Sequence, residues 1–306
     1  MSERYTKQIA ENEIGACLRA QLSDGDLLAI GGLFKQGRPT ALVREVIKAG
    51  FKDLKVSSSP GSGFDVDLLI AAGCVAETYC PAVTLEERMC PSFRHAVEEG
   101  RIRAHCVDAL SVVGGYLASA NGVPFQPVAA WKGSDVPKHN PLVAHITCPF
   151  TGETLFATRA LRPKLALIHA QEGDIYGNLR HLSTMTYADQ MIARASDFVI
   201  ASVDRIVAPD DILSRPRETS VPNIYVDAIV ELPYAAHPSG SFPHYSIDEA
   251  YIDAYADLAE AARKGAPEGL RMFLEQDVSG CASQRDYLSR LPDTRLPALE
   301  EEARNL

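Results

Sequence analysis

The feature that most constrains the fold of this chain is an alternation of short apolar runs with helix-spaced segments, each closed by a glycine. Leu27–Ile30 is a continuous apolar run of strand length, and from Pro39 the residues Leu42, Val43, Val46 and Ile47 share one helical face until Gly50. A strand is expected at Leu54–Ser57, a helix at Asp65–Ala72 before Gly73, and a strand at Val75–Tyr79. A helix over Glu86–Glu99 before Gly100 and a short strand at Ile102–Cys106 follow. Further on, the pattern gives a helix over Ala109–Ala120, a proline-rich segment VPFQPV, a strand at Leu165–His169, a helix over Ala188–Ala195, and strands at Phe198–Val203 and Val226–Val230. Strands alternating with helices at this spacing build βαβ units. The expected fold is α/β, a single open, mostly parallel sheet with helices on both faces. With no linker rich in Pro, Gly or Ser and no fixed-period repeat, residues 1–306 read as a single domain. Near the end, Ile247, Tyr251, Tyr255, Leu258 and Ala262 form one helical stripe, expected to serve core or subunit contact rather than a cofactor.

Charge and cysteine usage remove several classes of function. Thirty basic residues face 40 acidic ones, a formal charge of −10 with no basic run, so the chain lacks the clustered Lys and Arg that a nucleic acid requires. The seven cysteines are scattered without a C-x-x-C pair, and the eight histidines contain no H-E-x-x-H. Neither a disulfide framework nor a bound metal is expected, and most cysteines read as small buried apolar residues. No apolar run reaches the ~18 residues of a spanning helix, and the first fifteen residues lack the apolar core of a signal peptide. A cytoplasmic location with no membrane partner is the expectation.

Two loops follow strands and are built of small residues. The first lies in DGDLLAIGGLFKQGRP (24–39), where Gly31 and Gly32 remove every Cβ just past a strand and Gly37 can support a turn. The second is SSSPGSG (57–63). In open α/β sheets ligands sit outside the carboxyl ends of strands, where both loops fall. The common nucleotide motifs are missing: GSGFDV lacks the last glycine of G-x-G-x-x-G, and no phosphate-binding G-x-x-x-x-G-K-[ST] occurs. Ser62 does not satisfy G-x-S-x-G and reads as a loop serine facing a ligand rather than a nucleophile.

The run Asp24–Pro39 resembles the N-terminal signature of class I coenzyme A transferases: Asp-Gly, three aliphatics, Gly-Gly-Phe, then Gly-x-Pro. Leu33 stands where the signature has Phe. FDVDLLIAAGCVAETYC, GVPFQPV, IHAQEGDIYGNLR and YVDAIVELPYAAHPSG resemble, in the same order, segments of the α subunit of glutaconate CoA-transferase. The resemblance runs from the first strand to DYLSRL near the end. It implies a two-component enzyme in which a glutamate of a β subunit, within a Ser-Glu-Asn-Gly type motif, attacks an acyl-CoA and becomes a glutamyl-CoA thioester. This chain has no such motif; Glu11-Asn12 is followed by Glu13. No cofactor would be held permanently, and coenzyme A would enter as part of the substrate.

The resemblance implies a substrate cleft shaped by Gly31 and Gly32, whose N–H groups would stabilise an acyl oxyanion, together with Ser58, Ser59, Gly61, Ser62 and Gln171. Ser58 and Ser59 stand where related transferases carry asparagines. His169 beside Gln171 lines either a cleft or a structural turn around Gly173-Asp174 and Gly177-Asn178. His237 either hydrogen-bonds a carboxylate or caps the chain after its strand. A second branch of similar α subunits belongs to hydrolases that open a steroid-derived ring on a CoA ester, using an acidic residue in the stretch matching HCVDALSVVGGYL. Asp108 is the candidate there, and it reads equally as the N-cap of the following helix. A chain that binds a CoA ester without turnover is the remaining alternative.

Overall fold

The computed structural model describes residues 5–183 and 186–305. A helix α1 (Ile14–Gln21) precedes β1 (Leu27–Ile30), and three helix–strand units follow: α2 (Thr40–Ala49) with β2 (Leu54–Ser57), α3 (Phe64–Ala71) with β3 (Val75–Tyr79), and α4 (Pro91–Glu98) with β4 (Arg103–Ala104). After α5 (Ala109–Ala120) the chain makes β5 (Phe125–Val128), α6 (Val136–His139), β6 (Val143–Thr147) and β7 (Thr154–Arg159). It then returns to the main sheet with β8 (Leu165–Gly173), β9 (Leu179–Arg180), α7 (Asp189–Ala195), β10 (Val199–Ile206), α8 (Pro209–Ser214) and β11 (Ala228–Glu231), and α9 (Glu249–Arg263) packs back over it.

The main sheet runs β11-β10-β8-β1-β2-β3-β4, and each of these neighbours pairs in parallel. Strand β9 pairs antiparallel with β8 at one end, Glu172 opposite Arg180. The chain builds outward from β1 in one direction through β2–β4 and in the other through β8, β10 and β11. The switch point lies between β1 and β8, and their carboxyl ends leave a crevice there.

Alternation within the strands covers both faces. Leu28 and Ile30 of β1 join Leu165 and Leu167 of β8 in a core under α1–α4 and α9. Ala29, Ala166 and Ile168 point the other way, against Val112 and Tyr116 of α5 and Ile192 of α7. Helices therefore lie on both faces, as expected of buried parallel strands. Gly50 and Gly73 take φ +82° and +69° where α2 and α3 end, the left-handed stop that glycine permits.

Four expectations change. The helix expected over 86–99 begins only at Pro91, since Glu86 sits at φ +67° in a turn that bridges Thr84 to Met89. The strand expected at 102–106 shortens to Arg103–Ala104. The VPFQPV segment is part of a second, three-stranded antiparallel sheet, order β5-β7-β6 with Phe125 opposite Arg159, so the sheet is not single. The late stripe turns slightly: Ile252, Tyr255, Ala256 and Ala259 are buried, and Tyr255 packs edge-on against Phe64 at 4.8 Å. Of the cysteines, Cys74, Cys80, Cys90 and Cys281 are buried. Among the described residues no helix is long and apolar enough to cross a membrane.

Candidate active site

Both small-residue loops meet at Arg38, a fully buried side chain in a stretch that the sequence presents as a turn. Its Nε donates to Asp65 Oδ2 at 2.9 Å, and Nη2 pairs with the same oxygen. Its Nη1 donates to the carbonyl of Gly32 at 3.1 Å and of Gly61 at 3.3 Å, and to Ser58 Oγ at 3.2 Å. Asp65 also accepts from the Gly63 N–H at 3.2 Å. A buried guanidinium with a carboxylate and three further acceptors is fully compensated. The loop after β1 and the loop after β2 are thus tied into one rigid floor.

The glycines are explained by contact. A Cβ at Gly31 would lie 2.3 Å from Asp189 Oδ1, and one at Gly32, where φ is +88°, would lie 2.7–2.8 Å from Gly37 O, Arg38 Cδ and Gln36 O. A Cβ at Gly61 would strike the Phe34 ring at 2.2 Å. The N–H groups are already engaged: Gly31 donates to Leu167 O at 2.9 Å and Gly32 to Asp189 Oδ1 at 3.0 Å. This corrects the expectation of an oxyanion pair, because a donor bound to a carbonyl or carboxylate of the same chain is not free to meet a substrate oxygen.

At the switch point a narrow cleft is lined by Gly32, Gln36, Gly37, His169, Gln171, His181 and Asp189, with Phe242 at its side. Its inner volume, about 10 Å3, is room for roughly one water. Gly32, His169 and Gln171 stand in this wall. Gly31, Ser58, Ser59, Gly61 and Ser62 do not line it. Ser58, Ser59 and Ser62 are wholly buried, and the Ser62 hydroxyl donates to Ala82 O at 3.1 Å. They form the layer that supports the wall.

The wall is a satisfied hydrogen-bond network. Asp189, at the start of α7, accepts from Gly32 N–H and, through Oδ2, from the Thr186 hydroxyl at 2.8 Å. His181 Nε2 donates to His169 O at 3.0 Å, and its Nδ1 lies 2.6 Å from Ser220 Oγ. Burial holds the His181 imidazole below its ordinary pKa against the upward pull of Asp189, with His169 adding to the downward shift. Gln171 accepts from Leu182 N–H at 2.9 Å and donates to Ser241 Oγ at 3.1 Å. Asp174 organises the following turn by accepting from Tyr176 and Asn178 N–H, both at 3.0 Å.

The remaining candidates lie elsewhere. Asp108 is the N-cap of α5: Oδ1 accepts from Ser111 N–H at 3.0 Å and Oδ2 from Asn140 Nδ2 at 3.2 Å. His237 is buried, with Nε2 3.0 Å from Asp248 Oδ2 and Nδ1 2.7 Å from Tyr287 OH. Burial keeps it below its ordinary pKa despite Asp248. It bonds a carboxylate of its own chain. Sequence reasoning missed Arg38, His181 and Asp189; the Gly-x-Pro frame around Arg38 was the only local signal.

A parallel sheet wound outward in both directions from β1, with a glycine-floored cleft at its switch point, places the chain among doubly wound α/β proteins. Residues 13–232 match the family model described as coenzyme A transferase, and the chain belongs to that family. It is 35% identical over 247 residues to a 3-oxoadipate CoA-transferase subunit of Pseudomonas knackmussii, covering 78% of this chain and 84% of that one. It is 32% identical over 278 residues to the cholesterol ring-cleaving hydrolase IpdA subunit of Mycobacterium tuberculosis, covering 88% and 92%. The crystal structure of glutaconate coenzyme A-transferase from Acidaminococcus fermentans superposes with a TM-score of 0.85 at 26% identity, over 96% of this chain and 95% of that one.

Proposed function

We propose that this chain is the α subunit of a heteromeric CoA-transferase that moves CoA between an acyl-CoA and a small, dicarboxylic or oxo-substituted, carboxylic acid. The nucleophilic glutamate is supplied by a β subunit. One observation carries the reading: among the described residues Asp189 is the carboxylate in the cleft wall, it is 2% exposed, and both of its oxygens already accept hydrogen bonds. A carboxylate so buried and pinned to its own chain cannot swing out to meet a thioester carbon, which nucleophilic attack requires. With no Ser-Glu-Asn-Gly run in the sequence, the attacking group comes from elsewhere.

The chain's own contribution is a preformed wall. Gly32 and Gln171, whose polar atoms are already bonded within the chain, form with Gln36 a rigid surface against which a narrow thioester arm rests, and Arg38 keeps the floor from yielding. Pre-organisation of this kind lowers the cost of holding the acyl carbon against an external carboxylate. The acyl-CoA is substrate, and the support for a small acceptor is the relative named for 3-oxoadipate.

The hydrolytic reading is favoured by the 32% identity to a ring-cleaving hydrolase subunit. Against it, Asp108 has both oxygens committed to a helix cap and to Asn140. The test is CoA exchange by the chain alone and by the chain with its co-purifying partner, given an acyl-CoA and isotope-labelled free acids. Exchange only in the partnered form, with ping-pong kinetics, is expected. Release of free acid with no labelled acyl-CoA formed would replace transfer by hydrolysis.

A further inference from the structure

Behind the cleft wall lies a second cluster of titratable side chains, centred on Asp204. Ser241 Oγ donates to Asp204 Oδ2 at 2.6 Å and receives Gln171 Nε2 at 3.1 Å. The same hydroxyl is 3.1 Å from His169 Nε2, and His169 Nδ1 is 3.1 Å from Ser202 Oγ. Asp204 Oδ2 also accepts from His244 Nδ1 at 3.0 Å and lies 3.6 Å from His169 Nε2. Asp204 is 6% exposed, and its Oδ1 has no hydrogen-bond partner among the described residues. Asp204 and His244 also line a second cavity of about 450 Å3 on the far side, beside Arg205 and Tyr234.

The proton count fixes the arrangement. A serine hydroxyl has one hydrogen, and Ser241 gives it to the carboxylate, so toward His169 it can only accept. His169 Nε2 must then carry the hydrogen, and Nδ1 is left to Ser202. Burial would push Asp204 up, but the neighbouring His169 ring and the hydrogen bonds from His244 and Ser241 outweigh it and draw it down to about 2. The other titratable groups facing the cluster are His181, which donates to His169 O, Asp189 beyond it, and Tyr245 and Tyr234 near Asp204.

We propose that Asp204 is a positioning residue that, through the Ser241 hydroxyl, fixes the His169 imidazole as its Nε2–H tautomer and holds Gln171 in the cleft wall. His244 is the solvent-side end of the same chain of bonds. The consequence for the cleft rests on the transferase reading above; the tautomer does not.

The tautomer is read from 15N shifts of the histidine-labelled full chain, with His169→Gln assigning the signal. The wild type shows Nε2–H. In Asp204→Ala the Ser241 hydroxyl turns to Nε2 and the signal moves to Nδ1–H, and Asp204→Asn restores Nε2–H because its amide oxygen still accepts. An unchanged tautomer in Asp204→Ala, or no restoration in Asp204→Asn, overturns the proposal. If Asp204→Ala does not fold, Ser241→Ala serves: loss of the fixed tautomer is expected, and its retention overturns the proposal. In the partnered enzyme Asp204→Ala lowers kcat by about tenfold or more with KM for acyl-CoA little changed. A tautomer switch with unaltered kcat would keep the Asp204–His169 link and refute the placing of the reaction at this cleft.

Discussion

Replacing Arg38 by Met tests the buried clamp that joins the two loops. The side chain is fully buried, as is Asp65, so the substitution strands a carboxylate with one remaining donor, the Gly63 N–H at 3.2 Å. An uncompensated buried charge costs about 3–5 kcal/mol, and the carbonyls of Gly32 and Gly61 lose a donor for about 1 kcal/mol each. The expected loss is therefore about 5–7 kcal/mol at pH 7, a large part of the stability of a chain of this size. Removing both charges, in Arg38→Met with Asp65→Leu, leaves only the carbonyl cost and some repacking, about 2–3 kcal/mol. The double variant is thus more stable than the single one. Urea unfolding of the three proteins, followed by circular dichroism, gives the cycle directly. A single-variant loss under about 1.5 kcal/mol, or a double variant as unstable as Arg38→Met, would refute the clamp.

Other expectations follow from the same contacts. Gly31→Ala pushes a methyl into Asp189 Oδ1 at 2.3 Å and costs about 2–4 kcal/mol, whereas Gly25→Ala, with φ +81° and nothing within 4 Å, costs only about 1 kcal/mol; equal losses in thermal unfolding would contradict the packing argument. Burial raises Asp67 from the usual carboxylate range to about 6, outweighing the donors Phe93 N–H, Tyr255 OH and Ser92 N–H. Its folded state holds a proton that the unfolded state releases, so this stability is complete below pH ~4 and is lost as pH rises through about 6. Asp67→Asn should flatten that slope in urea midpoints measured from about pH 4 to 7, and an unchanged slope would assign it to other groups. Asp108→Ala removes a helix cap and costs about 1 kcal/mol while CoA transfer persists; a thousandfold loss of turnover at unchanged stability would make Asp108 catalytic instead.

The parallel core was legible because its signals are local. Leu27–Ile30, Leu54–Ser57, Val75–Tyr79 and Ala109–Ala120 form at the expected residues, each framed by an apolar run or an Asp cap, with Gly50 and Gly73 as stops. The small antiparallel sheet was not, since Pro124 and Pro127 read as loop residues and its half-exposed strands lack clean alternation. Pro91 at the first turn of α4 is the local signal that starts this helix there rather than at Glu86. Of the cleft lining, Gly32 and Gln171 were singled out by strand-end position together with the family resemblance. Arg38 and Asp189 were not, because a buried ion pair depends on Asp65 and a pinned carboxylate depends on a loop 157 residues away, contacts that carry no local pattern.

The central claim is that the attacking carboxylate belongs to another chain. It is tested most directly by the intact mass of every polypeptide in the partnered complex after mixing with an acyl-CoA. A CoA-sized adduct is predicted on the second polypeptide, removed by hydroxylamine, with this chain at its unmodified mass. An adduct on this chain, or none on either while the acyl-CoA is consumed, would contradict the claim.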